Sequence, residues 1–119
     1  MLCSILQNSE DKTRVWLISA NTTEQDILCR KKLDSFFKTH GGDRGRFKLH
    51  YTVSVAPDNL KKWPYSVGRI TNELLAGHMP QPSADGLILA CGPDAMISKT
   101  VKPGLEKMGW DIEKFLVVF

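Results

Sequence analysis

Gly86-Leu87-Ile88-Leu89-Ala90-Cys91-Gly92-Pro93-Asp94-Ala95-Met96-Ile97 is the stretch that decides the fold. Its first six residues are almost wholly apolar and do not alternate, the pattern of a strand covered on both faces. Gly92-Pro93 ends that strand, and the proline ring pre-sets the first turn of a helix. Behind it Met96, Ile97 and Val101 point one apolar face inward before Pro103-Gly104 disturbs the helix. Buried strand, tight turn and amphipathic helix in succession make one unit of a parallel α/β sheet.

Working outward, the same alternation recurs. Arg14–Ala20 is a second continuous apolar run, and Asn21 turns the chain after it. Thr22-Thr23-Glu24-Gln25 reads as a capping box, with Thr22 and Gln25 satisfying free backbone N–H groups. Cys29, Leu33, Phe36 and Phe37 then form one stripe of a helix that stops near Gly41-Gly42. Phe47–Val53 is a strand with Phe47, Leu49, Tyr51 and Val53 on one face. Ser54–Gly68 holds Pro57 and Pro64 and reads as a long functional loop. A short helix over Thr71–Ala76 closes at Gly77, and Phe115–Phe119 forms a last strand. The expected class is therefore α/β, a three-layer parallel sheet with helices on its faces.

Bulk properties narrow the function. A chain of 119 residues is one domain's worth of sequence. Its 42% hydrophobic and 24% charged content is that of a soluble globular protein. The net charge of +3 is scattered rather than gathered into a stripe, so no nucleic-acid partner is expected. No apolar run reaches the roughly 20 residues of a membrane span. Met1–Gln7 shows neither a basic leader nor a full signal core. The three cysteines, Cys3, Cys29 and Cys91, form no Cys-x-x-Cys pair, which points to a reducing compartment, the cytoplasm. His40, His50 and His78 lack metal-ligand spacing, so no metal site is expected.

Ligands of an open parallel sheet bind beyond the carboxyl ends of its strands. That rule nominates Asn21, Ser54 and the turn Cys91–Met96, each directly after a strand. At Gly92 the absent Cβ leaves room for a ring to approach the backbone, and Asp94 disfavours a phosphate there. A neutral ring or carboxamide suits this turn better. Nothing nearby in sequence lowers the Cys91 pKa, so a nucleophilic role is not expected of it.

Five blocks then stand in order: Ala20–Leu28, Phe47–Val53, Trp63–Thr71, Leu89–Ile97 and Leu105–Trp110, with Phe119 at the end. Together they resemble the nicotinamide-nucleotide-binding domain of the cytochrome b5 reductases, a ferredoxin-reductase-like family. The wording of Tyr65-Ser66-Val67-Gly68 and Leu105–Gly109 is closest to the cytochrome b reductase portion of eukaryotic nitrate reductases. The resemblance implies an NADH or NADPH domain working beside an FAD-binding domain of the same polypeptide. It implies hydride transfer from nicotinamide to flavin, with electrons passing on to a b-type haem domain or cytochrome b5. Cys91 and Gly92 would position the nicotinamide, Pro93 and Met96 would shape the floor, and Asn21, Ser54, Gly68, Arg69 and Phe119 would complete the cofactor contacts.

Two departures bear on the nucleotide. NADH-preferring relatives usually carry an acid where this chain has Ser54, and an aromatic residue where it has Arg69. A hydroxyl and a guanidinium accept a 2′-phosphate that an acid repels, so NADPH is expected to be used, alongside NADH. A third departure is at the start. The family's first strand and glycine-rich turn are missing, Met1–Leu6 matching the helix after them, and no FAD domain is present. The chain is thus expected to be part of a longer reductase, inactive alone and a weak binder of nucleotide. A non-catalytic stand-alone α/β module or truncated isoform is the competing expectation. A flavodoxin-like or response-regulator-like domain would need an acid pair or a phosphate loop that the sequence lacks.

Overall fold

The computed structural model describes residues 12–41 and 45–119, with Ile5, Gln7, Asn8 and Glu10 ahead of them. The helix expected over Met1–Leu6 and the stop at Gly42 lie outside the described residues, Ile5 and Gly41 excepted. The chain divides into two units, Met1–Arg69 and Ile70–Phe119.

The first unit is built on a parallel three-stranded sheet in the order β1 (Val15–Asn21), β2 (Phe47–Val53), β3 (Ser66–Val67). The β1–β2 register runs from Val15 opposite Phe47 to Asn21 opposite Val53. On β2 the alternation works as expected: Phe47, Leu49, Tyr51 and Val53 are all buried, and they meet Ile27, Phe36 and Trp63 in one core. By contrast β1 is half-buried along most of its length rather than covered on both faces. β3 was hidden in the sequence, because two residues inside a loop carry no periodicity to detect.

Between β1 and β2 the chain departs from the single capped helix expected there. The box closes one residue later than expected: the Asp26 carboxylate accepts from the Thr23 N–H at 3.1 Å and from its hydroxyl at 2.9 Å. It caps a single 3-10 turn, Glu24–Asp26, and not the main helix. Helix α1 (Arg30–His40) starts only after Cys29, which has left-handed backbone at φ 56°. Cys29 is therefore exposed, and Phe37 turns outward, while Ile27 and Phe36 take the buried positions.

The second unit opens with α2 (Asn72–His78), whose N-cap Thr71 accepts from the Leu74 N–H at 3.1 Å. The helix runs through Gly77 instead of closing there. β4 (Ile88–Ala90) is shorter than the apolar run that announced it, and pairs in parallel with β5 (Leu116–Val118). Gly86 admits the Trp110 ring: a Cβ there would stand 2.6 Å from Trp110 Cη2. Phe115, expected to begin the last strand, instead ends the short helix α5 (Ile112–Phe115).

The helix after Cys91-Gly92-Pro93 is not broken by Pro103. It begins as α3 (Asp94–Met96), widens to a π turn over Ile97–Val101, and continues as α4 (Lys102–Met108). Pro103 has no N–H to give an α-helical turn, and its ring would crowd the Lys99 carbonyl; the wider turn relieves both. Ile97, Val101 and Leu105 stay buried with Ile88 and Trp110 in a second core. α4 ends in a Schellman motif at Gly109, φ 104°: the Gly109 N–H donates to the Glu106 carbonyl at 2.9 Å and the Trp110 N–H to the Leu105 carbonyl at 3.0 Å. The run Leu105–Gly109 is thus a helix ending with its own physical reason for the glycine.

Candidate functional site

In the first unit the three strand ends line up. Asn21 closes β1 opposite Val53, and the next residue of β2, Ser54, donates its N–H to the Asn21 carbonyl at 3.0 Å. Val53 in turn accepts from the Gly68 N–H at 2.7 Å, which places the end of β3 beside the end of β2. Asn21, Ser54 and Gly68 therefore follow one another across the carboxyl edge of the sheet, with Arg69 next along the chain. Ser54 and Arg69 are exposed, and Asn21 is half-buried with its amide N–H donating to Ser19 Oγ at 3.1 Å. Gly68 has φ 122°, a conformation that a Cβ would strain.

The loop that carries Gly68 and Arg69 is held from below. Trp63 is buried and donates from Nε1 to the Ser66 carbonyl at 3.0 Å. His50 Nε2 meets Ser66 Oγ at 2.7 Å. Tyr65 stands edge-on to Tyr51 at 4.8 Å and to Trp63 at 5.1 Å between ring centroids. Arg30 lies 5.6 Å over Tyr51 and 5.3 Å over Trp63, and is paired with Glu24 and Asp34. The Glu24 hydrogen bond is the main cause that raises the Arg30 pKa. Burial, and then the 2.7 Å hydrogen bond donated to Asp34, pushes the Tyr51 phenol well above its ordinary value. Burial and the Asp34 charge raise Tyr65 as well.

In the second unit Cys91 leaves β4 as a free, exposed thiol. The Phe119 N–H donates to the Ala90 carbonyl at 2.9 Å, continuing the β4–β5 ladder past its last pair. Cys91 and Phe119 thus leave neighbouring strand ends, and Phe119 is 75% exposed. A Cβ on Gly92 would collide with the methyl of Met96, so the space expected for a ring is taken in this structure by a flexible thioether tip. Pro93 caps the helix through its carbonyl, which accepts from the Ile97 N–H at 3.1 Å. Asp94 is exposed, and the Ser98 hydroxyl donates to its carbonyl at 2.9 Å.

The structure thus brings Asn21, Ser54 and Gly68 to one sheet edge, and Cys91, Gly92 and Phe119 to another. One residue that sequence reading passed over is Thr52. It lies on the face of β2 opposite the apolar set, is 1% exposed, and donates from Oγ1 to the Gly68 carbonyl at 2.7 Å. The only signal was a hydroxyl flanked by apolar residues two positions before a strand exit. Among the described residues no group of three or more His, Cys, Asp or Glu side chains could hold a metal.

The family model for the oxidoreductase NAD-binding domain matches residues 1–102. Nitrate reductase (NADH) of Lotus japonicus is 43% identical over 116 residues, which cover 98% of this chain and 12% of that protein. NADH-cytochrome b5 reductase 1 of Meyerozyma guilliermondii is 46% identical over 102 residues, 86% of this chain and 34% of that protein. The crystal structure of the cytochrome b5 reductase domain of Ulva prolifera nitrate reductase superposes with a TM-score of 0.88 at 33% identity, over 99% of this chain and 42% of that one. The CS-b5R domains of human Ncb5or share the fold at a TM-score of 0.76 and 21% identity, over 99% of this chain and 31% of that one. The chain spans well under half the length of each of these relatives.

Proposed function

Because this chain belongs to the oxidoreductase NAD-binding domain family, we propose that it binds NADH or NADPH and holds the nicotinamide for hydride transfer to FAD on a neighbouring domain. The electrons go on to a b-type haem, in cytochrome b5 or in a nitrate reductase. The observation that carries this reading is the placing of Ser54 beside Asn21 and Gly68 at parallel strand ends, where α/β sheets bind ligands.

The bound pair of cofactors supplies hydride transfer without an acid or base from the protein, so the chain's task is orientation. In the first unit the Ser54 hydroxyl and the Arg69 guanidinium, both exposed, fit the adenosine end and its 2′-phosphate. In the second unit Cys91, Gly92 and Pro93 offer an uncharged strand-exit turn to the nicotinamide. The Met96 tip over Gly92 is flexible enough to yield to a ring. Phe119 is exposed at the adjacent strand end. The free thiols of Cys29 and Cys91 fit a reducing compartment such as the cytoplasm.

The test is Cys91→Ser in the assembled flavoprotein, followed by stopped-flow loss of oxidised-flavin absorbance. Flavin reduction should slow about tenfold or more, the scale of a small misplacement of reacting groups, with circular dichroism and thermal midpoint nearly unchanged. Unaltered flavin reduction in that variant would remove Cys91 from the site.

A further inference from the structure

Thr52 has a buried hydroxyl with one partner, and that partner is the peptide from which Arg69 emerges. The Gly68 carbonyl and the Arg69 N–H belong to a single planar unit. Fixing the carbonyl at 2.7 Å from Thr52 Oγ1 therefore fixes the direction in which Arg69 leaves the sheet. The Gly68 N–H is fixed too, at 2.7 Å from the Val53 carbonyl, so β2 grips Gly68 on both sides. The need is real, because Gly68 at φ 122° has open space where a Cβ would be, and no side chain of its own to hold it. Val53, whose carbonyl holds the Gly68 N–H, is followed by Ser54, whose own N–H is held by the Asn21 carbonyl at 3.0 Å.

We propose that Thr52 is a positioning residue for nucleotide selection: its hydroxyl sets the Gly68–Arg69 peptide so that Arg69 and Ser54 meet the same phosphate. The proposal rests on the reading of Ser54 and Arg69 given above. Ser54 and Arg69 are both exposed, so without Thr52 the loop end keeps its backbone pairing but loses its orientation. The consequence falls on nucleotide binding, and on NADPH more than NADH, while the hydride-transfer step is untouched.

The experiment compares Thr52→Val, Thr52→Ala and Thr52→Ser in the assembled flavoprotein, with NADPH and NADH as probes. Val and Ala differ in volume but both lack the hydroxyl; Ser keeps it. The KM for NADPH should rise about tenfold in Val and Ala alike, the size of one lost buried hydrogen bond. Their kcat should stay within about twofold, and Ser should restore KM to near the parent value. In an Arg69→Ala background the Thr52→Val change should add nothing further to KM, as expected of residues acting through one another. An unchanged KM in Val and Ala, a Ser variant as impaired as Val, or full additivity with Arg69→Ala would each overturn the proposal. If the parent protein reduces flavin with neither nucleotide, the underlying functional reading fails, and Thr52 with it. A parent that turns over normally beside a silent Thr52→Val sinks only the Thr52 proposal.

Discussion

Ser54 is the residue at which one substitution should change the choice of nucleotide. It follows Val53 into solvent at the edge of the sheet, and its hydroxyl can donate to a phosphate without a charge to repel it. Ser54→Asp places a carboxylate there instead. Loss of a charge-assisted hydrogen bond together with like-charge repulsion is worth about 1.5–3 kcal/mol, or roughly ten- to a hundredfold. We expect kcat/KM for NADPH to fall by that factor while the value for NADH changes little. Equal effects on the two nucleotides would show that Ser54 does not face the 2′-phosphate. At this scale the sequence was informative at the strand ends: Ser54 and Cys91 directly follow β2 and β4, and Asn21, expected just after β1, is its last residue. It was silent on Thr52, whose role depends on a carbonyl sixteen residues away, and on Met96 filling the space at Gly92.

Among the elements, β2 was legible to the residue, because strict alternation of large apolar side chains admits one register. Helix α1 was legible only in part. The helical stripe predicted its existence, but the left-handed turn at Cys29 moved its start and rotated Cys29 and Phe37 outward. No sequence rule would have placed a left-handed conformation on a cysteine. The two-residue strand β3 and the π turn before Pro103 arise from tertiary pairing and from a missing N–H, neither visible as periodicity.

The aromatic cluster on β2 has a pH consequence of its own. Both tyrosines of the chain, Tyr51 and Tyr65, have pKa values raised chiefly by burial. A raised phenol pKa means the folded state favours the neutral form. Its contribution to stability is fully present below the ordinary tyrosine pKa of about 10. That contribution is lost as pH rises through the folded-state value. Absorbance at the tyrosinate band should therefore rise at higher pH than it does for free tyrosine, with Tyr51 the more strongly delayed of the two. A tyrosinate signal centred near pH 10 while circular dichroism remains native would contradict this cluster.

At the scale of the whole molecule, each unit has its own core and its own set of strand ends. The chain's net charge of +3 is mild, and among the described residues no helix is long and apolar enough to cross a membrane. Fold class was legible because strand, turn and helix repeat with the spacing of a parallel sheet. That the strands pair as one three-stranded and one two-stranded sheet was not, since pairing between distant segments leaves no local mark. The central claim is that the carboxyl ends of these strands receive a nicotinamide dinucleotide. The most direct measurement is a titration of the isotopically labelled chain with NADPH to millimolar concentration, followed by amide chemical shifts. We expect the shifts to gather at Asn21, Ser54, Gly68, Cys91, Gly92 and Phe119. No change at any of these amides, or shifts gathered at the opposite strand ends around Val15, Phe47 and Ile88, would contradict it.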